Sequence, residues 1–279
     1  MSGLVTIAGI QMEPKLGKIE ANREAMLTRM SQAADQGAKL VVFPECALSG
    51  YCFQSREEAL PFAETLPGPS VEIIAEACRS LDLVTAFGLL ERDGDHLYNA
   101  CALVGPNGLI GSYRKVHLPF LGVDAFVDPG DRPFAVHEAA GVRVGMHICY
   151  DGSFPEAGRT MTLLGAELLI LPTNWPMRSE CAAEHMVPCR AHENVVYVMA
   201  VNRVGVERGF KFIGRSSICD PHGERLAMAS PDREEMLIAS IDLAVARQKR
   251  LVRVPGKHEI DRIRDRRPEF YREIVADNR

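Results

Sequence analysis

Short, continuous runs of aliphatic and β-branched residues recur along this chain, and segments of helical period separate them. Runs at 5–10, 40–43, 84–90, 142–148, 168–171 and 195–201 read as strands, and those at 40–43 and 168–171 are continuously apolar, without the alternation of a half-exposed strand. Strands of that kind are buried on both faces, which requires helices or a second layer over each face of a sheet. Helices are predicted over 19–36, closed by Gly37, and over 70–81, 154–165, 180–194 and 242–250. The runs 97–104 and 109–113 read as a hairpin about the Gly-Pro-Asn-Gly turn at 105–108, and 212–218, 226–229 and 236–241 supply the last strands. Helices interspersed with strands, some paired as hairpins, indicate a layered α/β fold with mixed sheets. No stretch rich in Gly, Ser or Pro interrupts the pattern, so residues 1–279 read as one domain.

Charge excludes some partners. The net charge of −5 offers no electrostatic footprint for nucleic acid or an anionic membrane. The basic C-terminal residues Arg262, Arg264, Arg266 and Arg267 are interleaved with Asp261, Asp265 and Glu269, as on a solvated paired face. No run of about 18 apolar residues suggests a membrane span. The first residues show no basic, apolar leader, so the eight cysteines are expected as free thiols in the cytoplasm.

Three reactive residues share one context: Glu45, Lys115 and Cys149 each follow the end of a predicted strand. Strand ends in α/β folds are where loops carry ligands, so the three are candidates for one cleft. Cys149 lies on a strand-to-helix turn, with Ser153 and Glu156 in capping-box spacing and Pro155 between them. A helix N-terminus favours thiolate and offers free N–H groups to an oxyanion. The turn alone suits a nucleophile and a buried structural thiol equally. Singly, Glu45 reads as well as a salt-bridge partner and Lys115 as a solvated charge.

The motifs around them, taken in order, resemble the nitrilase superfamily of carbon–nitrogen hydrolases. They are Phe43-Pro44-Glu45, Leu48-Ser49-Gly50-Tyr51, Tyr113-Arg114-Lys115-Val116-His117-Leu118, Pro129-Gly130-Asp131, Ile148-Cys149-Tyr150-Asp151 with Phe154-Pro155-Glu156, Leu171-Pro172-Thr173-Asn174-Trp175 and Arg190-Ala191-His192-Glu193-Asn194. The resemblance covers nearly the whole chain. It implies an α-β-β-α sandwich with mixed sheets, assembly into homodimers or larger oligomers, and a Glu-Lys-Cys triad that needs no metal or organic cofactor. In that triad Cys149 is nucleophile, Glu45 base and Lys115 oxyanion stabiliser, aided by the Tyr150 backbone N–H. The implied partner is a small-molecule amide.

The family often has a second glutamate after the lysine. Here the loop 117–128 holds no Glu, and Asp124 is the candidate substitute. Cys149-Tyr150-Asp151 resembles amidases and carbamoyl hydrolases, whereas nitrile-cleaving members resemble Cys-Trp-Glu. Tyr51, Phe120, Asn174 and Trp175 are the candidate substrate-pocket residues, with packing the alternative. The expected activity is cleavage of a small carboxamide through a cysteine thioester, releasing ammonia or an amine. Alternatives are N-carbamoyl hydrolysis, nitrile hydrolysis, and a catalytically silent binding protein on the same fold.

Two other constellations compete. Cys181, His185 and Cys189 are spaced four apart on one predicted helix, as zinc ligands or as a buried face would be, and the buried face is preferred. His147 and His117 are candidates for a Cys-His pair with Cys149, His147 because it lies two residues away on the same strand face, although a core or supporting role fits both better.

Overall fold

The computed structural model describes residues 3–276. Two six-stranded mixed sheets face each other. The first is built from β1 (Leu4–Gln11), β2 (Leu40–Val42), β3 (Val84–Asp93), β4 (His96–Gly105) and β5 (Gly108–Arg114). The second contains β6 (Val136–Ala139), β7 (Val142–Met146), β8 (Leu168–Thr173), β9 (Tyr197–Asn202), β10 (Ser217–Cys219) and β11 (Arg225–Met228). The late strand β12 (Glu235–Asp242) returns to the first sheet beside β1, giving the orders β12-β1-β2-β3-β4-β5 and β11-β10-β9-β8-β7-β6. In each sheet three central strands run parallel, β1-β2-β3 and β7-β8-β9, with antiparallel strands outside them.

Period-two alternation explains the layering. Ile7, Leu40, Val42, Val84 and Ala86 point toward the second sheet and share a core with Val144, Met199 and Val201. Their neighbours Ala8, Val41, Phe43 and Phe87 point the other way. There they bury against α1 (Ile19–Asp35) and α2 (Pro69–Leu81) through Met26, Met30, Ile74 and Cys78. On the far side, α3 (Pro155–Leu163) and α4 (Val187–Asn194) cover the second sheet with Met161, Val187 and Ala191. The fold is the expected α-β-β-α sandwich. No helix among the described residues is long and apolar enough to cross a membrane.

Several expected elements differ. The helix expected at 180–194 is helical over that whole length, but a π-helical turn, Ala182–Met186, interrupts it before α4. Pro188 has no N–H to give the Glu184 carbonyl, and Arg225 takes that carbonyl instead. The strand expected at 212–218 is broken at Gly214 and Arg215, both with positive φ, because the buried Gln11 side chain claims Ser216. The helix expected at 242–250 spans only Leu243–Arg247, N-capped by Asp242, and Arg250 opens a hairpin of Arg250–Val254 with His258–Asp261. Ser153 does not cap α3. It ends a separate 3-10 turn, Cys149–Ser153, so Phe154 holds the N-cap position without a side-chain bond.

Candidate active site

Glu45 lies three residues beyond β2, in a loop zipped onto β3. Phe43 N–H donates to the Ala86 carbonyl at 2.8 Å, Gly88 N–H to Pro44 at 3.1 Å and Leu48 N–H to Gly88 at 3.1 Å. A Cβ at Gly88 would stand 2.2 Å from Cys46 N and 2.7 Å from Glu45 Cα, so only glycine permits this approach. Lys115 follows β5 directly. Its N–H donates to the Asn99 carbonyl on β4, and its own carbonyl accepts from Gly130 N–H, both at 2.8 Å. A Cβ at Gly130 would strike the Arg114 carbonyl at 2.2 Å. Beside it, Arg114 is buried in ion pairs with Glu91 at 2.6 Å, Asp93 at 2.7 Å and Asp131 at 3.0 Å, and it lies over the Tyr98 ring.

At the end of these strands the polar side chains meet. Lys115 Nζ donates to Glu45 Oε1 at 2.6 Å and to Asp124 Oδ2 at 2.5 Å. Asn99 Nδ2 donates to the same Glu45 oxygen at 2.7 Å and to Asp124 Oδ1 at 2.8 Å. The Tyr51 hydroxyl donates to Asp124 Oδ2 at 2.7 Å. All five residues are buried. Asp124 thus enters the cluster as a full member, carried there by the 3-10 turn Gly122–Ala125.

Two carboxylates share one ammonium in this dry site. Burial raises the Glu45 carboxyl above its ordinary range and Asp124 adds to that, while Lys115 and Asn99 oppose it. Burial works against the Lys115 ammonium, but Asp124 and Glu45 outweigh it and hold its pKa well above the ordinary value. The Glu45 Oε2 atom is buried with no hydrogen-bond partner among the described residues.

Cys149 opens the 3-10 turn after β7, on the opposite sheet, with φ of +47°. A β-carbon in that conformation is strained, as at other turns that present a reactive side chain. The expectation that a helix N-terminus makes this residue a thiolate is not met. Burial and then the Glu45 charge push the thiol up to about 12, against the Lys115 charge, the Thr173 hydroxyl and the Asn174 N–H. A thiol with that pKa is protonated at neutral pH and needs an acceptor as it attacks. The unpartnered Glu45 oxygen has the chemistry of that acceptor.

The other candidates fall into two groups. Asn174 is buried beside Cys149, and both its side-chain Nδ2 and Oδ1 lack partners among the described residues. Trp175 is buried, its backbone N–H donating to Asn202 Oδ1 at 2.8 Å. Tyr51 braces Asp124 rather than opening a wall. Phe120 is not brought to the cluster at all: it stands 95% exposed at the tip of its loop. The Tyr150 ring is likewise outward, edge-on to Phe154, leaving only its backbone near the thiol.

His147 does not pair with Cys149. Its Nδ1 bonds to the Ile170 carbonyl at 3.0 Å, and burial lowers its pKa to about 4, so it is a neutral core residue. His117 bonds through Nδ1 to Asp151 at 2.7 Å. Cys181, His185 and Cys189 are exposed, so the face they share turns to solvent, and the buried face of this helix is Ala183, Val187 and Ala191 instead. No metal-binding cluster of three or more His, Cys, Asp or Glu occurs among the described residues. Sequence reasoning missed Asn99. The available signal was a single carboxamide inside the apolar run 97–104 of β4.

Comparisons with known proteins agree on one family. The model of the carbon–nitrogen hydrolases matches residues 6–251. A protein of Pyrococcus abyssi named nitrilase is 40% identical over 269 residues, covering 96% of this chain and 99% of that one. The N-carbamoylputrescine amidase of Solanum lycopersicum is 31% identical, covering 98% and 95%. Among solved structures, a carbon–nitrogen hydrolase of Helicobacter pylori G27 superposes with a TM-score of 0.86 at 26% identity, covering 98% of this chain and 99% of that one.

Proposed function

This chain belongs to the carbon–nitrogen hydrolase family, and on that premise we propose that it cleaves the C–N bond of a small carboxamide through a Cys149 thioester. The observation that carries the reading is the buried Glu45–Lys115–Asp124 cluster, of which the Glu45 and Lys115 charges act on the Cys149 thiol. Sγ attacks the amide carbonyl as its proton passes to Glu45, whose raised basicity suits that transfer. The new S–C bond leaves an oxyanion, which the Lys115 ammonium and the Tyr150 N–H stabilise. Glu45 returns the proton to the departing nitrogen, the C–N bond breaks, and ammonia or an amine leaves. Water, deprotonated by Glu45, then attacks the thioester. The S–C bond breaks, the thiol is regenerated and the carboxylic acid departs. Asp124 holds Lys115 in line and keeps Glu45 basic.

The test is ammonia release across a panel of carboxamides, with mass spectrometry of the trapped acyl-enzyme. Cys149→Ala should abolish both signals, and full activity in that variant would overturn the mechanism. A second reading, hydrolysis of an N-carbamoyl amine, is favoured by the tomato relative and gives carbon dioxide as well as ammonia. Nitriles belong in the same panel, since the Pyrococcus relative is named for them. The protein is read as a cytoplasmic homodimer or larger homo-oligomer. Its eight unpaired cysteines fit a reducing compartment, and light scattering at several concentrations measures the assembly.

A further inference from the structure

Glu45 and Lys115 stand on one sheet and Cys149 on the other, so their mutual reach depends on ties that cross the sandwich. Asp151 is such a tie. It is fully buried two residues after Cys149, and both its oxygens are engaged. Oδ2 accepts from Ile148 N–H at 2.9 Å and from the Tyr113 hydroxyl at 2.8 Å. Oδ1 accepts from His117 N–H at 3.0 Å and from His117 Nδ1 at 2.7 Å. Tyr113 and His117 lie two residues to either side of Lys115, and Ile148 immediately precedes Cys149. One carboxylate therefore binds the flanks of the lysine to the flank of the thiol.

Four donors occupy the roughly four lone-pair sites of a carboxylate, so Asp151 has none left to exchange a proton with substrate. Burial works against its ionised form, yet the bonds from His117, Ile148 and Tyr113 and the Lys115 charge hold its pKa below the ordinary value. The His117 ring is itself clamped, stacked on Phe154 with centroids 3.7 Å apart.

We propose that Asp151 is a positioning residue, and that its bridge through Tyr113 and His117 sets the reach of the Cys149 sulfur to Lys115 and Glu45. The proposal rests on the Glu45–Lys115–Cys149 reading. A misplacement on the order of 1 Å at a reacting centre costs about 100-fold in rate. Asp151→Asn keeps the shape but turns one acceptor oxygen toward two donors as a third donor. It should lower kcat about 100-fold, leave KM within about threefold and slow the acylation burst in parallel. His117→Phe keeps the stacking and loses the ring bond, so a fall of about tenfold in kcat is expected. In the double variant the two losses should not multiply, because both break one bridge.

The readouts are kcat and KM separately, single-turnover acylation, and near-ultraviolet circular dichroism to confirm the fold. A folded Asp151→Asn protein with wild-type kcat, or with a change in KM alone, overturns the proposal. If Asp151→Asn does not fold, His117→Phe and Tyr113→Phe carry the test, and wild-type kcat in both overturns it. Cys149→Ala, run in parallel, separates the failures: activity there refutes the nucleophile. Normal turnover in Asp151→Asn beside a dead Cys149→Ala refutes only the bridge.

Discussion

Replacing Asp124 with asparagine should move the acidic limb of the pH–rate profile to lower pH. Glu45 Oε1 and Asp124 Oδ2 both accept from Lys115 Nζ, at 2.6 and 2.5 Å, so these oxygens lie no more than about 5 Å apart. Two unit charges at that separation repel by roughly 3 kcal/mol at an effective dielectric of about 20. Asp124 raises the Glu45 carboxyl, and its neutral isostere removes that push, leaving Lys115 and Asn99 to pull the pKa down. Glu45 then ionises at lower pH, and the limb governed by the free enzyme's base follows it. A repulsion of that order makes the displacement large enough to resolve in a pH–rate profile. A weaker base and a less constrained Lys115 should also lower kcat by roughly 100-fold. The assay is kcat/KM for ammonia release between pH 4 and 9 in a buffer of constant ionic strength. An unmoved limb, or one displaced to higher pH, would refute the assignment of Glu45 as the base whose charge Asp124 tunes.

Other outcomes follow from the same contacts. Gly88→Ala should destabilise the protein by about 1–3 kcal/mol in urea unfolding and depress activity, since its methyl meets the backbone of Cys46 and Glu45. Arg114→Met strands the buried Glu91 carboxylate without its cation and should cost about 3–5 kcal/mol, measured the same way. His147 has its pKa depressed by burial from the ordinary 6.5 to about 4, so its stabilisation is complete above pH 6.5 and is lost as pH falls through about 4. His147→Gln should remove about 3 kcal/mol of acid sensitivity across that window, and an unchanged pH–stability curve would contradict the burial argument. Phe120→Ala should change stability by less than about 0.5 kcal/mol in thermal unfolding, because the ring is almost wholly in solvent.

The amino-acid order alone determined much of this protein. Doubly buried strands 40–43, 84–90 and 168–171 demand cover on both faces, and that is a local property of hydrophobic pattern. The placement of Glu45, Lys115 and Cys149 just past strand ends is also local, and the motifs around them were sufficient to mark the family. The helix 19–36 was readable because Gly37, at φ of +80°, ends it by a backbone conformation that glycine adopts freely. The failures were equally physical. Ser153 and Glu156 have capping-box spacing, but a separate 3-10 turn comes between the strand and α3. Asp151 caps that turn locally through Ile148 N–H, and its bonds to Tyr113 and His117 stabilise it from outside. Phe120 is aromatic and near the lysine motif, yet in the folded chain it stands 95% exposed and apart from the cluster. Only tertiary structure decided that Asn99 and Asp124 complete the cluster, since Asn99 meets Glu45 across 54 residues and Asp124 across 25. It also decided the state of the thiol. A sequence shows that a cysteine adjoins a helix start, but its pKa follows from how much water the two sheets exclude and which charges they bring near.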